Sequence, residues 1–257
     1  MSGRPPDGRV LEVAIAAARA AGAGALRYYR EGFDVTLKPD QTPVTQADRE
    51  GEQVIREVIT RAFPDHGFLG EEYGAEGSSE VRWIIDPIDG TRNFVRHIPI
   101  WAVLIGFEEH GSVTAGVMFN PITDELFAAA KGAGASLNGS RVRVSAVAGL
   151  SQAFFIHAAL GIVRQTGHWE RFVRLIDATD RQRGFGDYYG YALVAAGQAE
   201  IYAEVDLKPW DLAPAKIIVE EAGGRFTDLE GRSTIYTGTA LATNGHVHDA
   251  ALRLLCE

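Results

Sequence analysis

A single cysteine, Cys256, stands at the next-to-last position of this 257-residue chain. No intrachain disulfide can form, and no metal cluster can be built from thiolates. That usage suits a reducing compartment, and a cytoplasmic location is expected. Long apolar runs are missing as well. The nearest approach, VLEVAIAAARAAGAGAL (10–26), follows Arg4 and Arg9 as the apolar part of a signal peptide would. Glu12 and Arg19 interrupt it, and it is too short to cross a bilayer. It reads as an alanine-rich first helix, and no membrane partner is expected. Positive charge is scarce: 25 Lys and Arg against 34 Asp and Glu leave a formal net charge of −9. Non-specific nucleic-acid binding needs a basic face, so no such partner is expected. A small anionic substrate is not excluded, because bound cations reverse a local field.

What is present is ordinary for a soluble globular protein, with 46% hydrophobic and 23% charged residues. The length suffices for a substantial core. Val54, Ile55, Val58, Ile59, Ala62 and Phe63 recur at helical spacing and predict a helix over 45–63. VRWIID (81–86) predicts a buried strand, and 101–111 with 112–121 predict a hairpin turning at His110-Gly111. Further sheet is expected over 125–145. Strand and helix then alternate: a strand at 153–158, helices around 164–178 and 190–197, a strand at 199–205, a helix at 211–224, a strand at 239–244 and a closing helix. This pattern predicts a layered α/β protein. Its N-terminal half (1–145) and C-terminal half (146–257) are expected to pack as one functional unit.

Acidic residues stand where strands end or helices begin: Glu71, Asp86, Asp89 and Asp211. Pro87 separates Asp86 from Asp89 and blocks a helix at residue 86, so the chain is expected to turn there. Two carboxylates this close repel unless a cation or a shared proton intervenes. An all-oxygen donor set, with the Ile88 carbonyl as a further ligand, selects hard cations such as magnesium or manganese. Gly90-Thr91 follows at once, and a helix starting there would offer its N-terminus to an anion. Read singly, each piece has a structural alternative. Asp86 and Asp89 could cap turns, Glu71-Glu72 could be a solvated turn, Asp211 could be an N-cap, and Thr45 with Asp48 could form a capping box. The combination carries the functional reading.

In order along the chain, KPDQTPVTQAD (38–48), GEE (70–72), WIIDPIDGTRNF (83–94) and PWDLAPAKIIVEEAGG (209–224) resemble the inositol monophosphatase superfamily of metal-dependent phosphomonoesterases. The resemblance covers essentially the whole chain and implies an αβαβα sandwich, assembled as a homodimer. Carried over by position, it implies that Glu71, Asp86 and the Ile88 carbonyl hold one magnesium ion. Asp86, Asp89 and Asp211 would hold a second, with a third ion near Glu71. Gly90 and Thr91 would cradle phosphate, Arg92 would lie beside it, and Thr91 hydrogen-bonded to Asp48 would orient the attacking water. Lys38 would face the site.

For the substrate, RGFGDYYGYALVAAGQAEIYAE (183–204) aligns with the family segment that lines the leaving group's space, and Glu204 matches a substrate-contact position. Together with Asp211, Asp187 and Glu204 would meet the alcohol. Asp187 and Tyr188, Tyr189 and Tyr191 stand where many inositol phosphatases have small residues. An added carboxylate and aromatic faces suit an ammonium and an imidazole, and G-x-G-D-Y-Y-x-Y resembles the histidinol-phosphatase branch. Histidinol phosphate is therefore the expected substrate. Inositol monophosphate or a broad sugar phosphate is the alternative, and a catalytically inactive binding protein is a rival of another class. Asp187 could instead cap a helix and the tyrosines could pack at the dimer interface. His97, His157, His246 and His248 lack partners at ligand spacing and are expected to be solvated or packed.

Overall fold

The computed structural model describes residues 8–37 and 43–256; Lys38 lies outside them. From the N-terminus run α1 (Gly8–Glu31), a ribbon of β1 (Val35–Leu37) and β2 (Pro43–Thr45), and α2 (Gln46–Ala62). Strands β3 (Gly67–Gly70), β4 (Gly74–Glu76) and β5 (Val81–Asp89) lead into one helical turn, α3 (Thr91–Phe94). A meander follows of β6 (Ala102–Glu109), β7 (Ser112–Asn120), β8 (Glu125–Ala130), β9 (Gly134–Leu137) and β10 (Ser140–Arg141). Next come β11 (Phe154–His157), α4 (Leu160–Gln165), α5 (Trp169–Ala178), β12 (Arg181–Arg183) and α6 (Asp187–Ala195). The chain closes with β13 (Ile201–Val205), α7 (Pro209–Glu221), β14 (Arg225–Thr227), β15 (Thr239–Thr243) and α8 (His248–Cys256).

Two sheets form the frame, an eight-stranded one in the order β10-β9-β8-β7-β6-β5-β3-β4 and a five-stranded one in the order β12-β11-β13-β15-β14. The central strand β5 is apolar on both faces because both faces are covered. Trp83 and Ile85 pack towards α1 and α2 with Val103, Ile105 and Val117. Ile84 points the other way, into a core shared with Leu104, Met118, Leu212 and Ile218. Helices α6 and α7 thus lie between the sheets, and α4, α5 and α8 cover the outer face of the smaller one. This is the αβαβα sandwich. The inner layer is tight: a Cβ on Gly106 in β6 would sit 2.6 Å from the Ala213 Cβ of α7. That closeness holds the N-terminus of α7, with Asp211, near the end of β5.

Several boundaries differ from the sequence expectation for local reasons. Instead of turning at Asp86, β5 runs on to Asp89 through a register shift against β6, where Asp86 faces Leu104 and Asp89 faces Ala102. Pro87 has no N–H to give a ladder, and the irregularity removes the need for one. The helix expected around 164–178 is two helices, broken where Gly167 takes φ 79°. Helix α6 starts three residues before the expected 190, at Asp187. Asp211 is not the N-cap of α7 but its third residue; Lys208 is the cap, and its N–H donates to Asp211 Oδ2 at 2.7 Å. The edge strands β4 and β12, too short for a periodicity signal, were not anticipated.

Candidate active site

The site forms where β5, α3, α6 and α7 meet. Carboxylate oxygens of Asp86, Asp89 and Asp211 lie within 4.8 Å of one another. Glu71 and Ile88 line the same cavity, of about 190 Å³, together with Gly90, Thr91, Arg92 and Asp187. The β5 irregularity explains the gathering, since it turns both aspartates of one strand to one place. Asp86 Oδ1 accepts the Ile88 N–H at 2.9 Å, and Asp89 Oδ2 accepts the Tyr188 N–H at 2.5 Å. The second bond brings the first turn of α6, with its positive dipole end, against Asp89. Neither interaction neutralises the cluster. Burial, then neighbouring carboxylates, push Asp86 and Asp89 well above the usual carboxylate range, and burial raises Asp211 to about 7. Among the described residues none of the three forms a salt bridge with a basic side chain. Oxygen-only donors, buried and mutually repelling, fit one or more divalent cations.

Beside them stands the pair expected to handle water. Thr91 Oγ1 lies 3.2 Å from Asp48 Oδ1 and 3.0 Å from the Ile88 carbonyl, so its one proton chooses between two acceptors. Asp48 Oδ2 accepts from the Thr45 N–H and hydroxyl at 2.7 and 2.6 Å. The capping box is therefore real, and it holds the catalytic candidate in place. Burial raises Asp48 to about 6 despite those bonds.

A second cavity of about 160 Å³ adjoins the first and shares Asp89, Asp187 and Asp211 with it; Glu204, Tyr188 and Tyr191 are among the other residues that line it. Asp187 does not cap α6, as its carboxylate instead accepts from Asn93 Nδ2 at 2.8 Å. Burial raises it to about 6. Tyr188 and Tyr191 are buried inside the chain, 2% and 1% exposed, and so do not form a surface for a partner. Glu204 is buried, accepts from the Tyr202 hydroxyl, and is pushed well above its usual value by burial and then by Asp187. Arg92 is exposed at the first cavity's rim.

Supporting residues emerge that no sequence pattern singled out. Glu52 of α2 is fully buried and accepts the Glu72 N–H at 2.8 Å, while Arg56 clamps it at 2.8 Å and reaches the Gly74 carbonyl at 3.0 Å. It thereby fixes the turn that carries Glu71. A Cβ on Gly70 would sit 1.9 Å from Glu52 Oε1, so only glycine fits there. Asn93 ties Asp187 to the Ile100 carbonyl, 2.9 Å from its Nδ2. The histidines behave as expected: His248 is buried, held by Thr227 and Thr243, and burial lowers it to about 4. A larger cavity, about 310 Å³ between α7 and the 233–236 loop, lies away from these acids. Among its charged groups Lys216 pairs with Glu220, Glu108 pairs with Arg82, and Glu221 accepts from the Gly132 and Gly134 N–H groups.

Comparison with known proteins agrees with this geometry. The family model described as "Inositol monophosphatase family" matches residues 8–257. The chain belongs to the inositol monophosphatase family. As a member of that family it is a phosphatase. A histidinol-phosphatase of Mycobacterium tuberculosis is 44% identical over 227 residues, covering 86% of this chain and 87% of the relative. An inositol-1-monophosphatase of Rhizobium meliloti is 37% identical over 252 residues, covering 94% of each. The crystal structure of the extragenic suppressor protein suhB from Bartonella henselae superposes with a TM-score of 0.90 at 36% identity, over 96% of this chain and 98% of that one. No helix among the described residues is long and apolar enough to cross a membrane.

Proposed function

We propose that the protein hydrolyses L-histidinol phosphate to L-histidinol and phosphate in a magnesium-dependent reaction, as a cytoplasmic homodimer serving histidine biosynthesis. The observation that carries the substrate choice is the cavity beside the acidic cluster, where Asp187 and Glu204 face the space for the leaving group. An alcohol bearing an ammonium and an imidazole supplies counter-charges that inositol lacks. The name of the Mycobacterium tuberculosis relative points the same way.

Glu71, Asp86, Asp89, Asp211 and the Ile88 carbonyl would hold two or three magnesium ions, with manganese as a substitute. Bound there, such ions neutralise phosphoryl oxygens, make water nucleophilic near neutral pH and stabilise a leaving alkoxide. The Gly90 and Thr91 N–H groups, at a helix start where backbone donors lack intrahelical partners, would receive the phosphate. Arg92 would add charge at the rim. Thr91 donates its proton to Asp48 and turns its lone pairs to the attacking water, orienting it. As that water loses a proton, Thr91 Oγ1 takes it up and Asp48 Oδ1 receives the proton Thr91 gives. The raised affinity of Asp48 for protons, near pH 6, suits it to that task near neutrality. No side-chain nucleophile is needed.

Side-by-side kinetics with magnesium test the proposal, using L-histidinol phosphate, inositol 1-phosphate and fructose 1,6-bisphosphate. The expected kcat/KM is highest for histidinol phosphate by about tenfold or more, which corresponds to ~1.4 kcal/mol of discrimination. A higher value for inositol 1-phosphate would move the protein to the other reading.

A further inference from the structure

A cavity of about 320 Å³ lies at the far end of α7, with Arg141, Arg143, Glu221, Gly223 and His246 on its lining. At 1.5 Å per residue, α7 sets Gly223 about 18 Å from Asp211, so this space is separate from the acidic cluster. The chain after β10 is extended, and its alternation packs Val142 and Val144 against the core. Arg141 and Arg143 therefore share the opposite face, about 7 Å apart along the chain. The Val142 and Val144 N–H groups donate to the Ala135 and Ala222 carbonyls at 3.0 and 3.1 Å. Asn244 Nδ2 holds the next stretch, donating to the Ser145 hydroxyl at 3.0 Å and the Val147 carbonyl at 2.7 Å. The wall is thus fixed, yet its two guanidinium groups are not engaged. Among the described residues neither forms an ion pair or a hydrogen bond.

Acids outnumber bases in this chain, and arginines elsewhere, such as Arg56, Arg82 and Arg225, pair with carboxylates. One acid, Glu221, lines the cavity, but its two oxygens accept the Gly132 and Gly134 N–H groups. Nor do the arginines serve the end of α7. The carbonyls of Ile218, Val219, Glu220 and Ala222 already accept backbone N–H groups from Ala222, Gly224, Gly223 and Val144. We infer that this cavity is an anion-binding site for the diphosphate group of a small ligand. A guanidinium fork matches a phosphate through two parallel hydrogen bonds. A single carboxylate would leave one fork idle, whereas a diphosphate spreads charge over several oxygens and reaches both. Exposed His246 stands on the same lining as a further donor. The inference is independent of the substrate proposed for the acidic site.

Calorimetric titration of pyrophosphate and of ADP tests this, in excess EDTA and about 150 mM salt to screen diffuse attraction. Without metal the active-site carboxylates repel anions, so binding reports the distant cavity alone. Saturable binding of one ligand per chain is expected, with Kd below about 1 mM. The tighter of the two ligands shows whether the diphosphate is free or carried by a nucleoside. Arg141→Ala combined with Arg143→Ala should weaken binding at least about tenfold, with a melting curve like that of the wild type. If that variant does not fold, Arg143→Lys, which keeps the charge and loses the fork, should weaken binding about threefold. Arg164→Ala, which removes an exposed charge on α4, should change nothing. No saturable binding, binding untouched by the arginine variants, or an equal loss from Arg164→Ala would each overturn the inference.

Discussion

At the scale of single residues, the proposed reaction divides the acids into those that would hold cations and those that would meet the leaving alcohol. Asp89 belongs to both cavities and accepts the Tyr188 N–H. Asp89→Asn keeps shape but halves the oxygen donors and removes a charge, so turnover should fall at least about 10³-fold on every ester; phosphate release checks it. Asp187→Ala should instead act mainly on histidinol phosphate, raising KM about tenfold while inositol 1-phosphate changes little. Equal loss on both esters would deny Asp187 a part in selectivity. The acids were legible in the sequence because a D-P-x-D-G-T run is unusual chemistry at a strand end. Glu52 and Asn93 were not. Each acts through contacts that only folding creates, such as Asn93 with Asp187, 94 positions away.

Secondary elements explain how single residues reach their places. The β5 irregularity delivers two carboxylates, the α6 start and the N-terminus of α7 one each, and each of these boundaries was misjudged from sequence by a residue or more. Proline was read as a turn signal, yet the pairing with β6 resumes beyond it. Tertiary partners outweighed the local preference. Helix α2 offers the clearest test at this scale, because Glu52 holds the turn between β3 and β4 from behind. Glu52→Gln leaves volume unchanged but weakens the pairing with Arg56, whose side chain is only 12% exposed. Groups that orient metal ligands typically contribute about 10- to 100-fold in metal affinity. Manganese binding followed by electron paramagnetic resonance, without substrate, should weaken by that order. Unchanged binding would make Glu52 merely part of the packing.

For the whole molecule, the sheet order was beyond reach of the sequence patterns, which show alternation but not which strands pair. The site joins parts far apart in the chain, 99 positions between Asp89 and Tyr188, with β5 from one sheet and α6 and α7 from the layer between sheets. Its charge also couples to global stability. Asp48, Asp187 and Asp211 bind protons up to about pH 6, 6 and 7 in the native state, against about 3.9 when unfolded. Metal-free protein therefore binds more protons folded than unfolded in that window. The stability these groups contribute is full below about pH 4 and is lost as pH rises through 6 to 7. Divalent ions need the ionised carboxylates, so their stabilising effect should grow over the same range. The melting-temperature gap between magnesium-loaded and chelated samples should widen from about pH 5 to about pH 7.5.

The most direct test is phosphate release from L-histidinol phosphate by one chelator-treated sample, before and after magnesium is restored. The expected result is no turnover in chelator and recovery on adding magnesium. Undiminished hydrolysis in chelator would show that the converging carboxylates serve no cation, and would contradict the chemistry assigned to them.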